Sequence, residues 1–404
     1  MDSLVLKRVD YSGPVQSPAA CGTTPSWRST VPHVVQDLVD TWESIAPVAH
    51  AAEWDNVGLL VGSGNWTLHT VFLCIDLDME VLVEAEQADA DAIIAYHPPI
   101  FSGLKRFIAS DPTSAVVLQA AASRIAVFSP HTALDAAPGG MADWLADGIG
   151  AGEVSPLQAA TELGSHEQCK VVTYVPLEAM DAVRSAMGDA GAGTIGDYTH
   201  CSTSIENEGT FIGGPSTNPA SGKAGQLERV NERRLMMVSS IRGLAGVLAA
   251  LRSAHPYEEP PVHVIPLADR PMHDTGIGRC LALAEPKSTA DIVASLKAHL
   301  GVSTLRVAEG RGGPASHEHV GLCPGAGGSL LDEAAACGCT LFVTGEMRHH
   351  DVLAARDRGI TVILAGHTNT ERGYLPLLRD RLAEAMPGCA FTVSTRDCTP
   401  WVEA

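Results

Sequence analysis

Several patterns are scarce or missing in this 404-residue sequence, and each absence argues against a class of protein. Only 18% of the residues are charged, and 27 Lys and Arg face 47 Asp and Glu, which leaves a net charge of −20. Sequence-independent binding of nucleic acid depends on Lys and Arg contacts to phosphate, so this balance argues against a nucleic-acid partner. No apolar run reaches the ~18 residues that a membrane-spanning helix needs, so we expect no membrane partner.

Paired cysteine motifs are also missing, because the ten cysteines are scattered and form no Cys-x-x-Cys pair. We therefore expect reduced, mostly buried thiols in a reducing compartment. The N-terminus shows no charged-then-apolar signal pattern, and residues 1–31 are rich in Ser, Thr and Pro, which predicts a flexible segment. A cytoplasmic location is the expectation, with a mitochondrial leader as the alternative.

The order of apolar runs predicts an α/β fold with an insertion. Over residues 32–161, strand-like runs alternate with helical spacing, which predicts a parallel sheet covered by helices. Residues 162–273 follow the β-α-β-β-α-β order of a ferredoxin-like α+β domain, with a mobile loop expected at 213–225. The alternation returns over residues 274–404, so we predict that the first and last parts complete one discontinuous domain.

Three strand-like runs each lead into a histidine, at His97, His131 and His367. In the second and third, an acid follows four residues later, at Asp135 and Glu371. Ligands of open α/β sheets collect beyond the carboxyl ends of the strands, so these side chains could meet at one edge of one sheet. Imidazoles combined with carboxylates form the ligand set of a divalent metal site that activates water.

Each of these residues also has a purely structural interpretation. His367 could satisfy backbone groups while Glu371 pairs with Arg372 or Arg379. His131 could be a hydrogen-bond partner of the site instead of a ligand. The coincidence of three strand-ending histidines favours the metal hypothesis over the separate alternatives.

Two further segments follow strands and could carry chemistry. Glu346 or His349 is a candidate general base, and a capped helix start is the alternative. Residues 323–329 suit either an anion site or a tight turn, but they lack the Gly-Lys-Ser/Thr ending of a P-loop. We interpret residues 54–62 as a turn that leads into a strand, with a place for Asp55 and Asn56 along the cleft as the alternative. Residues 255–259 are interpreted as a turn into the last strand of the middle unit.

Four ordered motifs together resemble the Nif-three family (NGG-one-interacting factor three-like), whose bacterial members are labelled GTP cyclohydrolase I type 2. They are WDNVGL at residues 54–59, YHPPIF at 96–101, SPHTALD at 129–135 and GHTNTERG at 366–373. The resemblance spans about residue 32 to the C-terminus. It implies two related α/β halves around a metal centre, and it identifies the middle unit as the PII/CutA-like insert of the longer members.

The resemblance also implies a dinuclear centre. His97, Asp135 and Glu371 would hold one ion, and His367 and Glu371 would hold the other, with Glu371 bridging. Bacterial members have two adjacent histidines where this chain has Tyr96 and His97, so a phenol with a usual pKa of about 10 replaces one imidazole of the second ion. Zn, Mn, Fe, Co and Ni all suit such ligands.

These features predict a divalent-metal-dependent hydrolase acting on a small nucleotide-like or phosphorylated substrate, similar to a GTP cyclohydrolase. His131, Glu346 or His349 would relay protons. The alternative is a non-enzymatic metal-binding regulatory or adaptor protein with transcription-related partners. The resemblance further implies a homo-oligomer, typically a hexamer.

Overall fold

The computed structural model describes residues 32–162 and 166–401, so the predicted flexible segment 1–31 lies outside the described residues. Within them the chain forms a mixed α/β structure with three large sheets and one two-stranded ladder. Across the same ranges, no helix combines the length and the apolar character that crossing a membrane requires.

The strands and helices follow the predicted alternation closely. In chain order, the strands are β1 (His33–Val34), β2 (Gly58–Val61), β3 (Thr67–Leu68), β4 (Thr70–Cys74), β5 (Ala92–Ala95), β6 (Ala126–Ser129), β7 (Gly152–Glu162), β8 (Cys169–Pro176), β9 (Thr203–Ile212), β10 (Leu227–Ser239), β11 (Val262–Pro266), β12 (Arg270–Ser288), β13 (Arg306–Ala308), β14 (Ser316–Ala326), β15 (Leu341–Glu346), β16 (Thr361–Leu364) and β17 (Ala390–Val393). The α-helices are α1 (Val35–Ile45), α2 (Met79–Gln87), α3 (Pro112–Ala122), α4 (His131–Ala136), α5 (Met141–Asp147), α6 (Met180–Asp189), α7 (Leu244–Ala254), α8 (Thr289–Leu300), α9 (Leu331–Ala336), α10 (His349–Asp357) and α11 (Leu375–Ala385).

The first large sheet has five strands in the order β17-β4-β5-β6-β2. Strands β4, β5 and β6 run parallel, with β17 parallel to β4 and β2 antiparallel to β6. Every residue of β5 and β6 is buried. Parallel strands covered on both faces read as continuous apolar runs, which is why the sequence predicted these two strands correctly.

The second large sheet has six strands in the order β13-β16-β15-β14-β12-β7. Its centre repeats the first sheet, because β14, β15 and β16 are again three parallel neighbours. Strand β7 comes from the first part of the chain, whereas β17 of the first sheet comes from the last part. The first sheet therefore contains one strand from the last part of the chain, and the second sheet contains one strand from the first part.

The third large sheet lies in the middle unit and is fully antiparallel, in the order β11-β8-β10-β9. Helices α6 and α7 pack on it around a separate core. The order β8-α6-β9-β10-α7-β11 is the predicted β-α-β-β-α-β order. Strand β9 was missed individually, because it lies in a Gly/Ser/Thr-rich stretch and has no fully buried residue that would mark it as an apolar run.

One apolar core joins the two larger sheets. Trp42 and Phe128 from the first part share this core with Leu322 and Val343 from the second sheet. The buried Arg279 of β12 adds a polar link, because its guanidinium pairs with Asp143 and donates to the backbone carbonyls of residues 136 and 137. The carboxyl ends of both sets of parallel strands are thereby held close together.

Candidate metal centre

Residues at the carboxyl ends of two sheets converge on one site. His97 follows β5 and His131 follows β6 in the first sheet, whereas His367 follows β16 in the second. The rings of His97 and His367 lie 5.4 Å apart, centroid to centroid. The expectation that the histidines meet at one edge of one sheet is therefore wrong. They meet because the shared core brings the strand ends of two sheets together.

His97, His367 and Glu371 form the tightest group of potential ligands. Ligand atoms of all three lie within 4.8 Å of one another. Glu371 Oε1 is 3.5 Å from His367 Nε2, and Glu371 Oε2 is 3.5 Å from His97 Nε2. Glu371 is only 2% exposed, and its Oε2 accepts no hydrogen bond from the described residues. A buried carboxylate oxygen without a donor is costly, so this arrangement suits a cation placed between the three side chains.

The alternative ion pairs for Glu371 do not form. Arg372 is engaged elsewhere, since its Nη1 lies 2.5 Å from Asp397 Oδ2. Arg379 pairs with its neighbour Asp380 at 2.7 Å. The carboxylate of Glu371 is thus directed at the two imidazoles, one from each sheet.

A carboxylate orients each of the two imidazoles. Asp76 Oδ1 is 2.8 Å from His97 Nδ1, and Glu346 Oε1 is 3.1 Å from His367 Nδ1. In both histidines Nε2 is left facing Glu371. Metal-bound histidines usually donate their other ring N–H to a carboxylate in this way. Although burial lowers the pKa of His97, the hydrogen bond to Asp76 and the charges of the Asp76 and Glu371 carboxylates outweigh it and raise that pKa from 6.5 to about 10.

Asp135 lies beside this group but is bonded to Tyr96. The Tyr96 hydroxyl donates to Asp135 Oδ1 at 2.6 Å. Desolvation raises the pKa of Asp135 to about 6, against the lowering effect of that hydrogen bond. Desolvation and the neighbouring Asp135 charge raise the pKa of Tyr96 well above its usual range. The phenol is therefore a neutral donor to the predicted ligand Asp135.

His131 is held beside the cluster by a buried acid. Asp55 Oδ1 is 2.8 Å from His131 Nδ1, and Asp55 Oδ2 accepts from the backbone and hydroxyl of Thr132 at 3.1 and 2.5 Å. Burial raises the pKa of Asp55, but these hydrogen bonds outweigh it and lower that pKa overall. His131 has a left-handed backbone φ of 31° and lies 5.5 Å from the ring of His97. A non-glycine residue held in this conformation is often found at functional sites.

The other candidates differ in how near they come to the cluster. Glu346 touches it through His367, as described above. His349 is exposed at the start of α10, where its ring lies 5.6 Å from that of His350. His349 is not a member of the ligand group that the described residues form, which consists of His97, His367 and Glu371. It thus lies outside the group that Glu371 joins.

The segment 323–329 lies against the cluster, where β14 ends in a bulge and a short 3-10 helix begins at Gly328. The backbone N–H groups of Gly325 and Gly327 donate to the hydroxyls of Thr370 and Thr344, each at 2.9 Å. Gly325 has a φ of +60°, and a Cβ there would lie 2.8 Å from Glu371 Oε1. The segment is therefore closely packed, as expected, but it is a bulged strand end and not a tight turn. Glycine is required at residue 325 because any side chain would fill the space beside Glu371.

Asp76 was missed from the sequence, and Asp55 was assigned to a turn, with a place along the cleft only as the alternative. Asp76 lies just past β4, the strand beside β5, so the rule that found the histidines also applied to it. Asp55 lies in the turn before β2, 76 residues from its partner His131, and no spacing in the sequence relates the two.

The matching family model confirms the predicted resemblance. The model for Duf34/NIF3 (NGG1p interacting factor 3) matches residues 33–400. The chain belongs to this family. It is 32% identical over 373 residues to a Mycobacterium tuberculosis protein named GTP cyclohydrolase 1 type 2 homolog, covering 90% of this chain and 96% of that one. It is 35% identical over 349 residues to human NIF3-like protein 1, covering 85% of each.

A solved structure agrees with this assignment. The Bacillus cereus protein related to NIF3 is 30% identical, with a TM-score of 0.64 over 93% of this chain and 100% of that one. The Staphylococcus aureus protein SA1388 has a TM-score of 0.71 at 22% identity, which supports the fold alone. The NIF3 fold of this chain thus rests on sequence and structural similarity together.

Proposed function

We propose that this protein is a divalent-metal-dependent hydrolase whose ion is held by His97, His367 and Glu371. The observation that carries the proposal is the buried Glu371 carboxylate, which faces two imidazole Nε2 atoms at 3.5 Å and whose Oε2 has no donor among residues 32–162 and 166–401. The names of the mycobacterial and Bacillus subtilis relatives, GTP cyclohydrolase 1 type 2 homolog, support hydrolysis of a nucleotide-like or phosphorylated substrate.

The residues present fit a metal ion in three respects. The donor set of two imidazoles and one carboxylate suits Zn, Mn, Fe, Co or Ni. Both imidazoles have an acid on Nδ1, which leaves Nε2 free to bind. The missing side chain of Gly325 leaves open space beside Glu371.

A divalent ion, when bound, supplies a water whose pKa is lowered toward ~7 and polarises the bond under attack. The protein's own residues then orient the reactants and move protons. His131, held by Asp55, and Glu346, on His367, are the proposed proton relays beside the cluster. His349 stays a third proposed relay, and its exposed position would require the substrate to reach α10.

We propose Asp135 as a further ligand; in the two-ion arrangement that the family implies, His97, Asp135 and Glu371 would hold one ion, and His367 and Glu371 would hold the other. The hydrogen bond from Tyr96 lies on Asp135 Oδ1, so Oδ2 would be the atom that turns toward an ion. Tyr96 itself remains a neutral phenol and a poor ligand. We therefore propose that the first position is held more tightly than the second.

The domain organisation belongs to the same proposal. We assign 32–161 and 274–404 to two related halves, since each supplies three parallel strands whose carboxyl ends face the site. Residues 162–273 would be an inserted PII/CutA-like domain with the β-α-β-β-α-β order. We further propose a homo-oligomer, typically a hexamer, by resemblance to the family.

The second candidate function is a metal-binding regulatory or adaptor protein. The family description and the human relative's name both refer to an interacting factor, which favours a protein partner. Metal-dependent binding of a partner without turnover on a nucleotide panel would favour this candidate. Turnover that disappears on chelation and returns with added metal would favour the hydrolase.

The experiment that tests the proposal measures metal content and nucleotide hydrolysis together. We expect His367→Ala and Glu371→Ala to lose both metal and turnover, since each removes one of three ligands. His69→Ala is the matched control, because His69 is an exposed histidine paired with Asp91 away from the site. Unchanged metal stoichiometry in both site variants would refute the metal site. Metal loss with full turnover would refute the hydrolase.

A further inference from the structure

Two aromatic rings at the edge of the candidate metal centre are exposed to solvent. Trp54 is 63% exposed and Phe101 is 56% exposed. Their centroids are 5.9 Å apart and their planes are inclined at 48°. Large apolar side chains normally gain stability from burial, so an exposed aromatic pair beside a functional site requires an explanation.

A single imidazole connects this aromatic pair to the metal ligands. The ring of His131 lies 6.0 Å from Trp54 and 6.4 Å from Phe101, nearly perpendicular to both. The same ring lies 5.5 Å from His97, again nearly perpendicular. His131 therefore borders both the aromatic pair and the proposed ligand His97.

One residue next to each ring is held by hydrogen bonds, although the rings themselves are exposed. Next to Trp54, the buried Asp55 carboxylate is bonded to His131 and Thr132. Next to Phe101, the carbonyl of Ile100 accepts a hydrogen bond from the Asn56 side chain at 2.5 Å. The Asn56–Ile100 bond also joins the two segments directly. Rings held in place before binding lose less conformational entropy when a ligand docks.

We infer that Trp54 and Phe101 form a stacking platform for a flat aromatic ring of the substrate, such as a nucleobase, which places the rest of that substrate over His97, His367 and Glu371. This inference rests on the proposed function, because it deepens the substrate class of the same site. Stacking needs only a π face, so the platform selects a ring without reading hydrogen-bond patterns. A stacking platform of this kind needs no motif that reads the hydrogen-bonding edge of a purine, and we identify none in the sequence.

The test measures the affinity of guanosine, which carries a base but no phosphate, for the full-length metal-loaded protein by calorimetry. Alanine at a base-stacking position typically weakens binding about 5- to 150-fold. We expect that loss for Trp54→Ala and for Phe101→Ala, a smaller loss for Trp54→Phe, and no change for Trp401→Ala. Trp401 is the matched control, being 74% exposed and outside the platform. D-ribose, which lacks the ring, should not bind.

Two further measurements keep the inference separate from the proposed function. Phe101→Leu keeps an apolar side chain but removes the π face, so it should weaken guanosine binding while metal content stays at the wild-type level. Acrylamide should quench Trp54, as judged by the difference between wild type and Trp54→Phe. Guanosine affinity unchanged in both alanine variants would overturn the inference even if metal-dependent turnover is present. Shielding of Trp54 from acrylamide in the ligand-free protein would overturn it too, since a second copy would then cover the platform.

The proposed function fails by a different result, namely turnover that survives the loss of metal in His367→Ala. That variant keeps Trp54 and Phe101, so guanosine binding to it reports on the platform independently of catalysis.

Discussion

A proton and a metal ion should compete for Nε2 of His97. The metal-free side chain lies between Asp76 and Glu371, which raises its pKa from 6.5 to about 10 in spite of burial. At pH 7 the imidazole of the metal-free protein is therefore protonated on both nitrogens, whereas a ligand must offer a lone pair. We expect metal binding at pH 7 to release about one proton from this residue.

The free-energy cost of removing this proton follows from the difference between pH 7 and the His97 pKa of about 10. At ~1.36 kcal/mol per pH unit, removing the proton costs the binding free energy about 4 kcal/mol at pH 7. The dissociation constant for Mn²⁺ should therefore fall about tenfold for each pH unit between pH 7 and 8.5. Asp135, with a pKa of about 6, is already ionised over this range and adds little to the slope.

Calorimetric titration in two buffers of different ionisation enthalpy measures the proton count directly. Asp76→Asn is the matched variant, because it removes the carboxylate charge beside His97 Nδ1 while keeping a hydrogen-bond acceptor there. It should lower the pKa of His97, reduce proton release at pH 7 and flatten the pH dependence. A Mn²⁺ affinity that is independent of pH, with no proton released, would refute the reasoning. The folding stability of the metal-free protein, measured in EDTA, should depend on pH in the opposite direction to metal affinity. The stabilisation that comes from the raised pKa of His97 is present below pH 6.5 and is lost as pH rises through about 10.

Three other outcomes are expected. Arg279→Met should lower the free energy of unfolding, measured in urea, by about 3–5 kcal/mol, because it leaves the Asp143 carboxylate without its ion-pair partner. Arg311→Met, at an exposed ion pair, should lower it by at most about 1 kcal/mol. Equal effects of the two substitutions would contradict this reasoning. Glu84→Gln should lower the melting temperature at pH 7 and have no effect near pH 2. Burial opposes ionisation of Glu84, but hydrogen bonds from the segment at Ser394 outweigh it and lower the pKa of Glu84 to about 2. The stabilisation that the ionised carboxylate provides is therefore lost as pH falls. Tyr96→His should raise the metal-to-protein ratio measured by mass spectrometry, and an unchanged ratio would count against a second metal position at that residue.

Strand positions near the site were predictable because burial on both faces of a sheet leaves a clear signal. The runs before His97, His131 and His367 became β5, β6 and β16, as continuous apolar sequences predict. The same reasoning placed the histidines just past the strands, where the chain must turn and polar groups can face a ligand. The exposed strand β9 left no such signal, and only pairing with β10 defines it.

The partners of the strand-ending residues depended on long-range contacts. Nothing in the sequence relates Asp55 to His131 or Asp76 to His97, because hydrogen-bond partners are set by how sheets and turns pack. The resemblance named Asp135 as a ligand, whereas the structure shows its carboxylate bonded to Tyr96. The exposure of Trp54 and Phe101 was equally hidden, since an aromatic residue in a sequence is more often buried.

The sequence by itself determined which residues end the buried strands and to which family the chain belongs, since both follow from local patterns of residue type. Only the tertiary structure decided that His97 and His367 come from different sheets and share the carboxylate of Glu371. The physical reason is that one apolar core, built from both ends of the chain, brings two sets of strand ends together. A local pattern of residue types along the chain does not specify which distant strand ends come into contact.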